Sequence, residues 1–411
     1  MSSALLSSIY AVHEGTHHRV KDREKAALFH SICTGRSPTR QVLSRTLGLR
    51  PSSVSEAVQE LVDDGLVAER SMGRRTSADS LRARKQSGRP RLVLARKPDR
   101  LQAISLYVDS RELKAVLLNM DEEPVAEESR SVPAKAGNQE LFSNVRELLE
   151  TLARRVRDGT TLVGANLALV GTVNPGALAW VSTARWPRLV NLDLSAMQEE
   201  VGFPVVLRRT NDVELEYQLQ SASRSFGQCA LLLHWGFGIG SAVSFRGETL
   251  GSSLGRFGEI GHVRLDRGST TPCLCGSRGC LETTAALWAL LPALTRRLTT
   301  LPVDEPGLAP LLADSRVLAL PEIRHAFVSV RDALLVLYQV FHPDTIFLSG
   351  PFTENPAIFL GIEERFRRAL PAYARGAVSV VPVPAGNPGC RRGGANPLFR
   401  QALRRILRRS P

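Results

Sequence analysis

Glu259-Ile-Gly-His262, followed by Cys273-Leu-Cys275-Gly-Ser-Arg-Gly-Cys280-Leu-Glu282, places one imidazole, three thiols and two glutamates within 24 residues of chain. His262, Cys273, Cys275 and Cys280 have the residue types and spacing of a structural Cys3His zinc site closed by a Gly-bearing loop, 262–280. Thiolates in a reducing compartment need a metal or burial, and a C-x-C-x4-C cluster suits the metal; buried, incidentally close cysteines are the alternative. Glu259 and Glu282 bracket the loop and are not needed by the metal, so they are free to accept hydroxyl hydrogen bonds.

The rest of the chain sets the context for that loop. At 411 residues it is long enough for two or three domains with ample core. The other cysteines, Cys33, Cys229 and Cys390, are scattered and form no disulfide framework. There is no apolar run of about 18 residues, so no membrane span is expected. The apolar opening (Leu5, Leu6, Ile9, Tyr10, Val12) lacks a preceding basic region, and the protein reads as cytoplasmic.

The net charge of +13 is unevenly distributed. Residues 1–100 hold 19 Lys/Arg against 10 Asp/Glu, and 391–411 hold seven Arg and no acid, while the centre is mildly acidic. This suits a nucleic-acid-binding module joined to a small-molecule domain; plain solvated basic surface is the alternative.

The local pattern supports the module. A helix is expected over Lys25–Cys33 with Leu28, Phe29 and Ile32 inward, and a second over Arg40–Leu47. A third follows Gly48-Leu49-Arg50-Pro51, with Ser53 and Glu56 at capping-box spacing and Val54, Ala57, Val58, Leu61 and Val62 as one apolar stripe. Leu66–Glu69 and Leu92–Leu94 read as wing strands. This is the order of an α+β winged helix-turn-helix, whose third helix enters the major groove. Ser52, Ser53, Ser55 and Gln59 on that helix are candidate base or phosphate contacts, flanked by Arg40, Arg45 and Arg50. Between the wing strands, residues 72–91 form a long arginine-rich stretch. Its Arg89, beside Gly88 and Pro90, is a candidate minor-groove contact; a soluble linker is the alternative.

Beyond residue 98, short apolar strands (Ala103–Val108, Lys114–Leu118, Leu162–Val170, Leu231–Trp235, Thr345–Leu348) alternate with helical stretches such as Leu141–Val156 and Phe327–Phe341, which indicates an α/β architecture. No internal sequence repeat is evident.

The motif Gly258-Glu259-x-Gly261-His262, a spacer, then Cys273-x-Cys275-Gly276-x-x-Gly279-Cys280-Leu281-Glu282 resembles the signature of the ROK family, which groups sugar-responsive bacterial repressors with sugar kinases. The resemblance spans about Leu101 to Gly394. It implies a two-lobed actin-like ATPase fold over residues 99–411, preceded by a winged-helix domain over 1–98. In the family's kinases an Asn-Asp pair after a strand binds sugar and supplies the base; here that pair is Asn211-Asp212. The same resemblance assigns sugar contacts to Glu259, His262 and Glu282, with Gly171 and Thr183 as further contacts.

The chain departs from the kinases at the phosphate loops. Asp109-Ser-Arg-Glu-Leu113 replaces a glycine-rich D-x-G-G-T loop, Ser349-Gly350-Pro351 replaces a Gly-Gly pair, and Phe237 interrupts Gly236-x-Gly238-x-Gly240. ATP binding is therefore expected to be lost. The reading is a DNA-binding transcriptional regulator with a sugar or sugar-phosphate effector, a structural Zn2+, an operator partner, and a homodimeric or tetrameric state. A hexose kinase using ATP, with Asp212 as its base, is the alternative. A regulator answering to a protein partner is a third possibility.

Overall fold

The computed structural model describes residues 3–14, 19–35, 38–71, 92–221, 226–251, 257–266, 268–297, 305, 308–312, 314–384 and 386–408. The arginine-rich stretch 72–91, with Arg89, lies outside the described residues.

Helices α1 (Ser3–Glu14), α2 (Val20–Thr34), α3 (Arg40–Leu47) and α4 (Pro51–Asp63) precede an antiparallel pair, β1 (Val67–Ser71) and β2 (Leu92–Arg96). Local chemistry sets the boundaries. The Thr39 hydroxyl accepts from Val42 N at 3.3 Å and caps α3, and Gly48 ends it in the left-handed conformation. Pro51 starts α4, with Arg50 at the cap position. The expected capping box is therefore not formed: Ser53 lies inside the first turn, and Glu56 instead faces Lys21 Nζ at 3.2 Å. Val54, Ala57, Val58 and Leu61 are buried as one stripe. Helix α1 went unread in the sequence, although Leu5, Ile9 and Val12 recur at helical spacing and are all buried.

The remainder forms two lobes built on one plan. In the first, β3 (Leu101–Asp109), β4 (Glu112–Asn119), β5 (Pro124–Ser131), β6 (Thr161–Leu169) and β10 (Val205–Arg209) form a sheet of order β10-β6-β3-β4-β5. A small sheet of β7 (Thr172–Asn174), β8 (Ala179–Ser182) and β9 (Leu192–Asp193) is inserted before β10. In the second lobe, β11 (Cys229–Trp235), β12 (Ile239–Phe245), β13 (Glu248–Thr249), β14 (Thr345–Ser349) and β15 (Ser379–Pro382) have the order β15-β14-β11-β12-β13.

Each sheet pairs its central strand antiparallel to a hairpin partner and parallel to the next strand in. The duplication is thus present in the topology but not in the amino acids. Helices α5 (Asn138–Ala153) and α6 (Met197–Val201) pack in the first lobe; α7 (Thr210–Ser221) follows β10, and α8 (Leu281–Ala285) follows the cysteine loop.

The boundary expected at residue 98 falls at a 3-10 turn, Pro98–Arg100, yet the apolar core runs across it. Leu5, Ile9 and Leu28 of the N-terminal helices share one cluster with Leu101 and Tyr107 of β3 and with Phe399, Leu403 and Leu407 of the C-terminal helix Asn396–Leu407. Lys25 fastens the junction: its Nζ lies 2.8 Å from Asp64 Oδ2 and 3.1 Å from the Ile406 carbonyl. The apolar side of the C-terminal helix packs on this core while Arg404 and Arg405 face outward and Arg400 lies half-buried, 3.8 Å from Glu216 Oε2. Phe399 is fully buried there, so Phe399→Ala is expected to cost about 3–5 kcal/mol in a denaturant titration. A loss under about 1 kcal/mol would show that this helix is not part of the core.

Candidate functional site

Loop 262–280 brings its four expected ligands together. One ligand atom from each of His262, Cys273, Cys275 and Cys280 lies within 4.8 Å of the other three. Cys273 Sγ is 3.5 Å from His262 Nδ1, and Cys275 Sγ is 3.6 Å from Cys280 Sγ. Tetrahedral zinc, with bonds of about 2.0–2.3 Å, separates its ligands by about that much. The chemistry and closeness of the four donors fit such an ion. Backbone bonds fix the loop: Cys273 N donates to Ser277 O at 2.8 Å, and Gly276 turns the chain through positive φ.

The other ring nitrogen of His262 faces away from the sulfurs. His262 Nε2 is 3.6 Å from Glu259 Oε2, and Glu259 Oε1 is 3.9 Å from the Arg209 guanidinium. Arg209 in turn lies 3.6 Å from Asp212 Oδ1. One line of charged groups therefore runs from the thiol cluster to the Asn211-Asp212 pair. That pair follows β10 as expected, but its backbone is already the first turn of α7. Asp212 Oδ1 is buried without a hydrogen-bond partner, an acceptor suited to a ligand hydroxyl. Burial pushes the Asp212 carboxyl up to about 6, against the pull of Arg209 and Arg208; Glu216 and Glu259 add to the rise. Burial also raises Glu259, opposed by Arg209 and His262.

Glu282, on α8, joins from the second lobe. Its Oε1 accepts from Ile239 N at 2.9 Å, and its Oε2 accepts from Trp288 Nε1 at 3.4 Å. A Cβ at Gly238 would sit 2.9 Å from Glu282 Oε1, and one at Gly240 would sit 2.6 Å from Asn211 Nδ2. These glycines thus admit the side chains of two candidate sugar ligands to the turn. Gly171, at positive φ, lets Thr183 approach: a Cβ there would meet the Thr183 backbone at 2.9 Å. Thr183 is buried just beyond β8, between Trp180 and Trp186, whose rings meet edge to face at 5.6 Å.

Sequence reasoning missed Arg209. It is 5% exposed at the end of β10, in the first lobe, and donates to the Ser241 and Phe257 carbonyls of the second; the Ser241 contact is 2.9 Å. A pair of arginines, Arg208-Arg209, ending a strand carries no motif, and only the position before Asn211-Asp212 hinted at a role.

The turn Asp109–Glu112 is tight: the two residues pair directly across β3 and β4, leaving only Ser110 and Arg111 between them. Asp109 is engaged by Lys114 Nζ at 2.6 Å.

On the DNA-binding module, Arg45, Arg50, Ser52, Ser55 and Gln59 are exposed, and Ser53 is half-buried. Arg40 is differently placed from the expectation of a free phosphate contact. Its guanidinium donates to Glu69 Oε1 and to the Ser55 carbonyl, each at 2.9 Å, and reaches Gln59 Oε1 at 3.5 Å. Gln59 donates to Asp63 Oδ1 at 2.9 Å. Arg40, from α3, ties α4 to the first wing strand, and Gln59 bonds within α4 and to Arg40.

Among the described residues, no helix is long and apolar enough to cross a membrane. The ROK family model matches residues 104–401, and the chain belongs to that family. The DNA-binding transcriptional repressor Mlc of Escherichia coli K12 is 24% identical over 393 residues, 92% of this chain and 93% of its own length. The dual regulator NagC of the same organism is 21% identical, covering 83% of each chain. A glucokinase from Halalkalibacterium halodurans is 24% identical over 59% of this chain. Among solved structures, a ROK family transcriptional regulator homologous to E. coli Mlc superposes with a TM-score of 0.69 over 94% of this chain and 98% of its own, at 20% identity. A ROK hexokinase from Thermus thermophilus does so with 0.56 over 72% of this chain and 97% of its own, at 24% identity. The fold is therefore the two-lobed actin-like ATPase fold with an N-terminal winged helix-turn-helix.

The Asp212 environment carries a pH signature. A carboxyl raised from 3.8 to about 6 makes ionisation cost stability as pH rises through that window. Asp212→Asn is expected to stabilise the protein by up to about 3 kcal/mol near pH 7.5 and by little near pH 4. Urea titrations at both values read this directly; an equal effect at the two would contradict it.

Proposed function

We propose that this chain is a DNA-binding transcriptional regulator of sugar-metabolism genes, acting as a repressor, whose interlobe cleft binds a sugar or sugar phosphate as effector. The observation that carries the reading is a winged-helix head sharing its apolar core with a lobe whose cleft holds a buried carboxylate acceptor, Asp212 Oδ1, with no hydrogen-bond partner. Kinases of the family carry no such head. The similarity to Mlc and NagC along most of the chain favours the same side.

In this reading Asn211, Asp212, Glu259, His262 and Glu282 take the sugar hydroxyls, with Gly171 and Thr183 shaping the wall. Carboxylates accept from hydroxyls, and the Asn211 amide both donates and accepts. The ion bound by His262, Cys273, Cys275 and Cys280 is Zn2+; it holds the loop closed and leaves His262 Nε2 facing the cleft beside Glu259. The protein does not transfer phosphate, because the β3–β4 turn is too short to wrap a nucleotide. Arg45, Arg50, Ser52, Ser53, Ser55 and Gln59 meet the operator from α4 and its approach, with Arg40 as their brace and Arg89 as a minor-groove contact. A homodimer or tetramer reads half-sites about one helical turn apart.

Ligand closure must favour one lobe arrangement to release DNA, and a swing from mostly bound to mostly free takes about 5 kcal/mol of differential affinity. A fluorescence-anisotropy titration of operator DNA, repeated across a panel of sugars and sugar phosphates, tests the scheme. Release by one member, lost in Glu259→Gln, is the expected result. No response to any sugar would sink the effector reading. Metal analysis is expected to return about one zinc per chain, falling at least severalfold in Cys275→Ser; full retention in the variant would place the ion elsewhere.

A further inference from the structure

Glu305 stands where three elements from both lobes converge. Its Oε1 accepts from Phe237 N at 2.5 Å, and its Oε2 lies 2.7 Å from Arg185 Nη2. Its own N–H donates to Ser110 Oγ at 3.0 Å. Ser110 lies in the β3–β4 turn of the first lobe, and Phe237 in the β11–β12 turn of the second. Those turns are counterparts in the duplicated topology. Arg185 is 8% exposed and lies over the Phe237 ring at 5.1 Å.

A guanidinium, a backbone N–H and a hydroxyl converging between two hairpin turns are the groups that bind a phosphate-class anion. Here the Glu305 carboxylate takes the guanidinium and the backbone N–H, while the Ser110 hydroxyl accepts from the Glu305 N–H. Gly236 makes room for it: a Cβ there would meet Glu305 Oε1 and His234 Nε2, each at 2.6 Å. More negative charge stands close by. Burial raises the Glu354 carboxyl, and Glu305 and Asp109 raise it further. The subsite borders the sugar cleft, since Phe237 N holds Glu305 and Ile239 N, two residues on, holds Glu282.

We propose that Arg185 and the Phe237 N–H form an anion subsite permanently occupied by Glu305, whose own N–H is held by Ser110 Oγ, so that the effector is uncharged at this end of the cleft. The carboxylate does two jobs. It neutralises Arg185, which would otherwise be an unpaired buried charge, and it repels any phosphate approaching the same donors. A phosphate monoester pointing this way meets a filled site; a neutral hydroxyl does not. The proposal rests on the sugar-effector reading and narrows it from sugar or sugar phosphate to the unphosphorylated sugar.

The test is calorimetric titration of the full chain with inorganic phosphate, comparing wild type with Glu305→Ala and with the isosteric Glu305→Gln. Glutamine keeps the shape and one of the two acceptor oxygens, which guards against a folding failure in the alanine variant. Wild type is expected to bind phosphate at least about tenfold more weakly than Glu305→Ala, with Glu305→Gln between them. Equal phosphate affinity in wild type and both folded variants would overturn the subsite. So would wild-type binding of a sugar phosphate more tightly than its parent sugar. Failure of every sugar to bind would sink the effector reading instead, and the phosphate comparison would still decide the subsite.

Discussion

A guanidinium buried between the lobes is the constraint on which the cleft depends. Arg209 leaves the first lobe at the end of β10 and satisfies its donors on the Ser241 and Phe257 carbonyls of the second. A buried charge is tolerable only when paired and hydrogen-bonded. Its pairing draws Asp212 and Glu259 to opposite sides of the same group, at 3.6 and 3.9 Å. The acids that would grip a ligand are therefore oriented before one arrives, and reorganisation on binding is reduced. Glu305 and Arg185 make a second tie between the lobes at the neighbouring turns.

Much of this was legible in the amino acids, for identifiable reasons. Cys273, Cys275, Cys280 and His262 lie close in sequence, so spacing alone implied a metal loop. The stripe Val54, Ala57, Val58, Leu61 betrayed α4 because a helical period survives in any order of reading. The placement of Asn211-Asp212 came from resemblance, and the fold then set the pair in the first turn of a helix rather than in a loop.

What stayed hidden was long-range. Arg209, Arg185 and Glu305 become partners only after the lobes dock, and no local pattern marks them. The lobe duplication survives as strand order while its side chains have diverged, so the eye finds no repeat. Helix α1 was read only as an apolar opening, because its stripe is covered by α2 and by the distant C-terminal helix only once the chain has folded. The Ser53–Glu56 pair misled for the opposite reason: a valid local signal yielded to Pro51, which starts the helix earlier.

The core shared by Leu5, Ile9 and Leu28 with Phe399, Leu403 and Leu407 bears on the order of synthesis. A chain made from its N-terminus exposes the head first, but the surface that covers it emerges last. Until the helix Asn396–Leu407 is made, these apolar groups of the head lack one of the surfaces that cover them. An operator can meet a completed head only when the whole sensor is also complete. A fragment that stops before that helix lacks the packing that joins the head to the sensor.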